Sequence, residues 1–371
     1  MVTAPPRRTV LATVERLFRS FHPFGARAQV RAHQVAARQR SIQLSKTSVL
    51  MSQYRSRLPL LEDRSFMTDG GLETSLIFHE GVDVPYFASY DLLKTEAGRA
   101  LIERHYERFT TLAHEHGVGI VLATPTWRAS RDWGRKLGYS DSTLADANRH
   151  AVDQLIQFRL KWETPATLIV IVGAIGPRAD GYKAEVRMSV KEAQAYHRTQ
   201  IDTMAATQVD MVGAFTLNYV DEAIGMVQAA KAAAVPISIS FTLETDGRLP
   251  SGETLQEAIE TTDAETGGYA AFFMINCAHP SHFEGPLRNG GGWLQRIRGV
   301  RANASRLSHA ELDEADELDD GNPIEFGEEV AVLRRFLHRM NIVGGCCGTD
   351  HRHADQIWHA IKRIDGAKAL Y

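Results

Sequence analysis

Ile342-Val343-Gly344-Gly345-Cys346-Cys347-Gly348-Thr349-Asp350 joins a short apolar run to the start of a helical stretch through paired glycines and two adjacent cysteines. An apolar run that ends in glycines, turns and feeds a helix reads as half of a βα unit. The chain's remaining cysteine closes a similar run, Met274-Ile275-Asn276-Cys277. All three cysteines therefore follow strand-like segments, and each stands beside Asn or Gly or next to a cysteine that does.

Outward from that stretch the same alternation recurs. Strand-like runs fall at 66–68, 119–123, 168–172, 211–214, 237–241, 271–276, 300–302 and 342–343. Helical stretches follow at about 97–116, 143–161, 189–206, 221–233, 253–262, 283–297, 327–339 and 351–364. Eight such units in one α/β chain predict a (β/α)8 TIM barrel, although a doubly wound open sheet has the same periodicity. Barrels of this kind carry their sites at the C-terminal ends of the strands.

The chain has 371 residues, 44% of them hydrophobic, and a formal charge of -3. No basic excess points to nucleic acid, and no apolar run approaches the ~20 residues of a membrane span. An odd number of cysteines does not make a disulfide framework and suits a reducing compartment, the cytoplasm. Before position 41, Arg7, Arg8, Arg16, Arg19, Arg27, Arg31, Arg38 and Arg40 face the single acid Glu15. Residues 1–60 accordingly read as an Arg-rich, poorly packed extension, and 61–371 as the barrel. If the extension is a transit peptide, the compartment is an organellar matrix; an over-extended start with the natural beginning near Met51 explains the stretch equally well, and an appended helix is the third reading. The oligomeric state is left open, a homo-oligomer included.

Unusual residues collect at the strand ends. Asp69-Gly70-Gly71 pairs a carboxylate suited to an amine with glycines that allow close backbone approach. Thr124-Pro125-Thr126-Trp127-Arg128 offers hydroxyls and an aromatic ring, and Phe215-Thr216-Leu217-Asn218-Tyr219 closes the fourth run. Gly173-Ala174-Ile175-Gly176-Pro177 lacks the spacing of a dinucleotide fingerprint, so a nucleotide cofactor is not supported. Asp69, Gly70, Thr126, Trp127, Phe215 and Asn276 are the expected substrate-binding residues. The acidic stretch 310–329 is expected as a loop or short helix over the seventh strand, not as a calcium loop.

Three readings compete for the cysteines. They are small buried residues at the barrel rim, or Cys346 and Cys347 form a vicinal disulfide, or all three bind zinc. Three ligands leave a coordination position open, the mark of a catalytic zinc. Of the nearby histidines, His279 is the best placed to be a fourth ligand, ahead of His282, His351, His353 and His359. Zinc held by three thiolates suits a substrate thiol better than a water. A thiol held as thiolate near neutral pH is set up for displacement at the methyl group of a sulfonium or ammonium.

Over residues 63–366 these motifs resemble the homocysteine S-methyltransferase family. Thr68-Asp69-Gly70-Gly71 with Thr74 is similar to its opening motif and 173–177 to its third-strand motif. Asn276-Cys277 is similar to its first metal-ligand motif, and 344–349 to its closing double-cysteine motif. The resemblance implies a TIM barrel, a zinc cofactor on Cys277, Cys346 and Cys347, and a small-molecule thiol and a methyl donor as partners. It also implies that Asp69 and Gly70 contact the amino-acid part of the thiol. One position departs: where the family carries a Glu for the substrate's amino group, this chain has Phe215. The alternative reading is therefore a non-catalytic or repurposed thiol- or metal-binding barrel; zinc-dependent hydrolysis fits less well.

Overall fold

The computed structural model describes residues 52–368. Eight parallel strands pair in chain order into a closed barrel: β1 (Phe66–Thr68), β2 (Gly119–Ala123), β3 (Ile169–Ile175), β4 (Met211–Leu217), β5 (Ile237–Phe241), β6 (Phe272–Asn276), β7 (Ile297–Ala302) and β8 (Ile342–Gly345). The ring closes where Phe66 and Met67 pair with Ile342 and Val343. Around it stand α1 (Glu96–His116), α2 (Asp141–Trp162), α3 (Val190–Ala205), α4 (Val220–Ala232), α5 (Leu255–Thr266), α6 (Pro280–Arg288), α7 (Pro323–Val332) and α8 (His351–Lys368). Closure decides between the two topologies that periodicity left open: this is a TIM barrel.

Two-residue alternation along the strands sorts side chains into two layers. Phe66, Val121, Val172, Met211, Phe215 and Met274 belong to a cluster that fills the barrel interior. Their neighbours Met67, Ile120, Ile171, Val212, Phe273 and Val300 pack outward against the helices. Serine and threonine caps start three of the helices: Ser140 opens α2, Ser189 with Glu192 opens α3, and Thr254 with Glu257 opens α5, each as a reciprocal capping box. None of the described helices is long and apolar enough to cross a membrane.

Several expected boundaries move. β4 continues past Ala214 to Leu217 with an irregularity in its pairing, so Phe215 and Thr216 lie within the strand. The expected helix 283–297 is two pieces, because Gly290 and Gly291 adopt positive φ and divide α6 from a 3-10 turn at Gly292–Arg296. α7 starts at Pro323, earlier than expected, where Asn322 accepts from the Ile324 and Glu325 amides. In the acidic stretch, Ser308 caps a short helix at His309–Asp313, while Asp319 and Asp320 are taken up by Ser305 and Arg352.

The compact unit that contains the barrel begins at Ser52, and residues 52–60 pack with it. Leu58 and Leu60 are buried, and Arg55 donates to the carbonyls of Ala205, Thr207 and Val209. The seam rests on Asp210, which is fully buried at the foot of β4. It accepts from Arg159 at 2.6 Å, the Ile171 amide at 2.8 Å, the Ser52 hydroxyl at 2.7 Å and the Tyr54 amide at 2.9 Å. The remainder of the expected extension, 1–51, lies outside the described residues.

Candidate metal and substrate site

Cys277 follows the last residue of β6, and Cys346 and Cys347 follow β8. Their three sulfur atoms lie within 4.8 Å of one another, with the Sγ atoms of Cys277 and Cys346 2.7 Å apart. The strand between them, β7, brings Arg301 to the same mouth.

Backbone conformation aims the sulfurs. Cys277 has φ 55° and Thr216, opposite it at the end of β4, has φ 61°. A β-branched residue in the left-handed region is strained, at a cost on the order of 1–3 kcal/mol, and the surroundings hold it there. Asn276 supplies that hold: its Oδ1 accepts from the Thr216 amide at 2.9 Å, and its Nδ2 donates to Thr216 Oγ1 at 2.8 Å and to Cys277 Sγ at 3.1 Å. The Cys277 carbonyl is fixed by His309 Nε2 at 2.7 Å and Thr242 Oγ1 at 3.2 Å. The glycines serve approach rather than flexibility. A Cβ on Gly71 would sit 2.6 Å from the Cys346 carbonyl oxygen, and one on Gly70 2.7 Å from that of Thr349.

Electrostatics mark the cluster as a cation site. Hydrogen bonds from Cys346 and Cys347 favour the thiolate of Cys277, drawing its pKa well down. That first charge pushes the Cys346 thiol up to about 12 and raises the Cys347 thiol as well. Three sulfurs this close, with Cys277 buried, can all ionise only around a cation, and thiolates suit a soft metal ion. No histidine joins them among the described residues. His279 instead caps α6, accepting from the Ser281 amide, and its Nε2 faces Glu329 at 3.1 Å. Burial and the nearby Arg306 take its pKa down to about 4, so it is a neutral structural imidazole.

The expected substrate residues divide. Asp69 is at the mouth, but Arg301 binds its Oδ1 at 2.6 Å and His105 faces its Oδ2 at 3.4 Å. Burial alone would raise the Asp69 pKa; Arg301 and His105 outweigh it and hold the carboxylate ionised. Phe215 is buried in the barrel interior beneath the Arg301 guanidinium, 5.4 Å from its ring. Trp127 Nε1 donates to the Phe215 carbonyl at 3.1 Å. The Thr126 hydroxyl is spent inside the protein, on Thr124 at 2.6 Å and the Ala174 carbonyl at 2.8 Å.

Residues without a sequence signal complete the mouth. Tyr182, in the segment between β3 and α3, sets its hydroxyl 3.7 Å from Cys347 Sγ and stacks on His309 at 4.2 Å. Burial, and then the neighbouring cysteines, push its pKa well up, so it stays protonated. Arg301 did leave a trace: a charge inside the apolar run Val300-Arg301-Ala302. Replacing Asn276 with Ala is expected to lower the affinity of the cysteine cluster for a metal ion about 10- to 100-fold, as loss of an orienting outer partner does. Competition with a chromophoric chelator measures it, and unchanged affinity would show that Asn276 does not orient Cys277.

The family model described as "Homocysteine S-methyltransferase" matches residues 66–361. Homocysteine S-methyltransferase 1 of Arabidopsis thaliana is 24% identical over 319 residues, covering 80% of this chain and 93% of that protein. The protein of the same name from Brassica oleracea is 24% identical over 321 residues, with the same coverage. The metallated form of the homocysteine methyltransferase MmuM from Escherichia coli shares the fold with a TM-score of 0.62 at 18% identity, across 82% of this chain and 99% of that one. The family match spans the whole barrel, from β1 to α8, and includes all three cysteines. The chain belongs to the homocysteine S-methyltransferase family of enzymes.

Proposed function

We propose that this protein is a zinc-dependent S-methyltransferase that moves a methyl group from a sulfonium or ammonium donor to a small thiol such as homocysteine, giving methionine. The observation that carries the reading is the convergence of three sulfurs from two strand ends with no fourth His, Cys, Asp or Glu beside them among the described residues. Cys277, Cys346 and Cys347 would hold the ion, which when bound lowers the pKa of a substrate thiol. The chain's own residues orient and exclude water. Asn276 and His309 fix Cys277, Tyr182 covers Cys347, and Phe215 and Trp127 give the mouth an apolar wall.

The transfer balances without an oxidant or reductant. The thiol releases its proton, a sulfur–carbon bond forms, and the donor's carbon–sulfur or carbon–nitrogen bond breaks. The donor leaves as a neutral sulfide or amine, having lost its positive charge. Alignment and a dry site are the main demands on the protein, because the nucleophile and the leaving group come from the substrates.

Purified protein is expected to hold one zinc per chain and to convert homocysteine to methionine with a sulfonium or ammonium donor, read by mass spectrometry. Protein that takes up no zinc, or zinc-loaded protein that methylates no thiol across a donor panel, would end this reading. Phe215 and the Asp69–Arg301 pair favour a second one, a barrel that binds thiol without turnover. Thiol-dependent protection against heat with no methylated product would select it.

A further inference from the structure

Two oppositely charged side chains at the mouth have no ionic partner among the described residues. Glu73 follows the glycine turn after β1, and its Oε1 accepts one hydrogen bond, from Ser89 Oγ at 2.7 Å. Burial raises its pKa, and the charges on Cys346 and Asp69 add to the rise. Arg128 ends the turn after β2 and is 6% exposed. Its guanidinium lies 3.9 Å from the Trp127 ring and 4.0 Å from the Trp133 ring. One nitrogen donates to the Ala179 carbonyl at 2.9 Å, while Nε is buried with no acceptor. Burial brings the Arg128 pKa down to about 10.

The two groups sit on one side of the mouth. The Ser89 hydroxyl that binds Glu73 also faces the carbonyl of Pro125 at 3.3 Å, three residues before Arg128. The carboxylates whose charges act on Arg128 are Asp180 and Glu73, with Tyr182 and Tyr196 also near it, and the Tyr182 hydroxyl is itself 3.7 Å from the Cys347 sulfur. An isolated buried charge is costly. A half-buried carboxylate with a single hydrogen bond and a buried guanidinium, near each other but unjoined, are together complementary to a zwitterion placed between them.

We propose that Glu73 and Arg128 form an amino-acid clamp, Glu73 receiving the ammonium and Arg128 the carboxylate of an α-amino-acid thiol whose sulfur meets the cysteine cluster. The clamp rests on the methyl-transfer reading above. It accounts for the apolar Phe215: the amine-binding carboxylate is supplied from the turn after β1 instead of the end of β4. It also accounts for Asp69, whose charge Arg301 already answers.

The test uses zinc-loaded full-length protein and three thiols: homocysteine, mercaptobutyrate, which lacks the ammonium, and aminopropanethiol, which lacks the carboxylate. Binding is measured by calorimetry, beside methyl transfer. Homocysteine is expected to bind about tenfold to a hundredfold tighter than either analogue, the range for one charge-assisted hydrogen bond. Glu73→Gln should remove that advantage over mercaptobutyrate and leave mercaptobutyrate itself unchanged. Arg128→Gln should weaken homocysteine and mercaptobutyrate and spare aminopropanethiol, with part of the loss recovered by Arg128→Lys. Zinc content and circular dichroism establish folding; where Glu73→Gln does not fold, Glu73→Asp carries the comparison by a smaller shift in the same direction. Mercaptobutyrate binding as tightly as homocysteine to the unaltered protein would overturn the clamp, as would substitutions that weaken all three thiols equally. If homocysteine is methylated and neither substitution changes the preference among thiols, the clamp fails and the methyl-transfer reading stands. Absence of both binding and transfer for every thiol removes both.

Discussion

Cys277→Ser should yield a folded protein that retains no zinc and transfers methyl groups more than about a thousandfold more slowly, on the order of 4 kcal/mol of barrier. A serine hydroxyl is a hard, weakly acidic donor and cannot replace a thiolate among soft ligands. Folding is expected to survive because the surrounding hold is made by other groups: Asn276 to the Thr216 backbone, and His309 and Thr242 to the Cys277 carbonyl. Cys346→Ser and Cys347→Ser should behave alike, since each removes one of three ligands. Metal analysis after dialysis and the initial rate with homocysteine are the two measurements. A serine variant at Cys277 that keeps stoichiometric zinc and normal rate would remove the cysteine cluster from the chemistry.

Asp210→Ala should produce the largest loss of stability of any single substitution away from the mouth, about 3–5 kcal/mol. The carboxylate is fully buried and gathers the Arg159 guanidinium, two backbone amides and the Ser52 hydroxyl. Its removal leaves the Arg159 charge buried without an answer and two amides without acceptors, which is the costly way to break such a network. The urea midpoint should fall, with methyl-transfer chemistry unaltered below the transition. Asp210→Asn, which keeps an acceptor and the volume, should lie between. An alanine variant within about 0.5 kcal/mol of the unaltered protein would show that water satisfies these groups, as it does for ordinary surface positions.

What could be read from the chain alone follows from which interactions are local. The strand runs and the double-cysteine turn are contiguous, so their order and their role as βα units were legible, and the closed ring confirms them. Helix ends were legible where a cap or a terminating glycine is in sequence, as at Gly117 after α1, and were misplaced where competing signals lay close together, as around Gly290 to Gly292. The extension of β4 through Phe215 was not legible, because its support is an Asn276 side chain sixty residues away. The same holds for Asp69. Its carboxylate stood out beside two glycines, but its neutralising partner Arg301 is 232 positions distant and comes within reach only when the barrel closes. The bond from the Thr126 hydroxyl to the Ala174 carbonyl was not legible either, because strand-end hydroxyls can meet a ligand or satisfy a backbone carbonyl, and nothing in the local sequence separates the two uses.

The barrel's core has a bearing on how the protein would acquire its ion. In small zinc domains, metal binding and folding are one event, because nothing else holds the ligands together. Here the barrel's large core does not depend on the three cysteines, so metal uptake is expected to add stability by mass action and not to create the fold. Chain produced in zinc-poor medium should therefore accumulate as a folded, inactive reserve, brought into use by the metal.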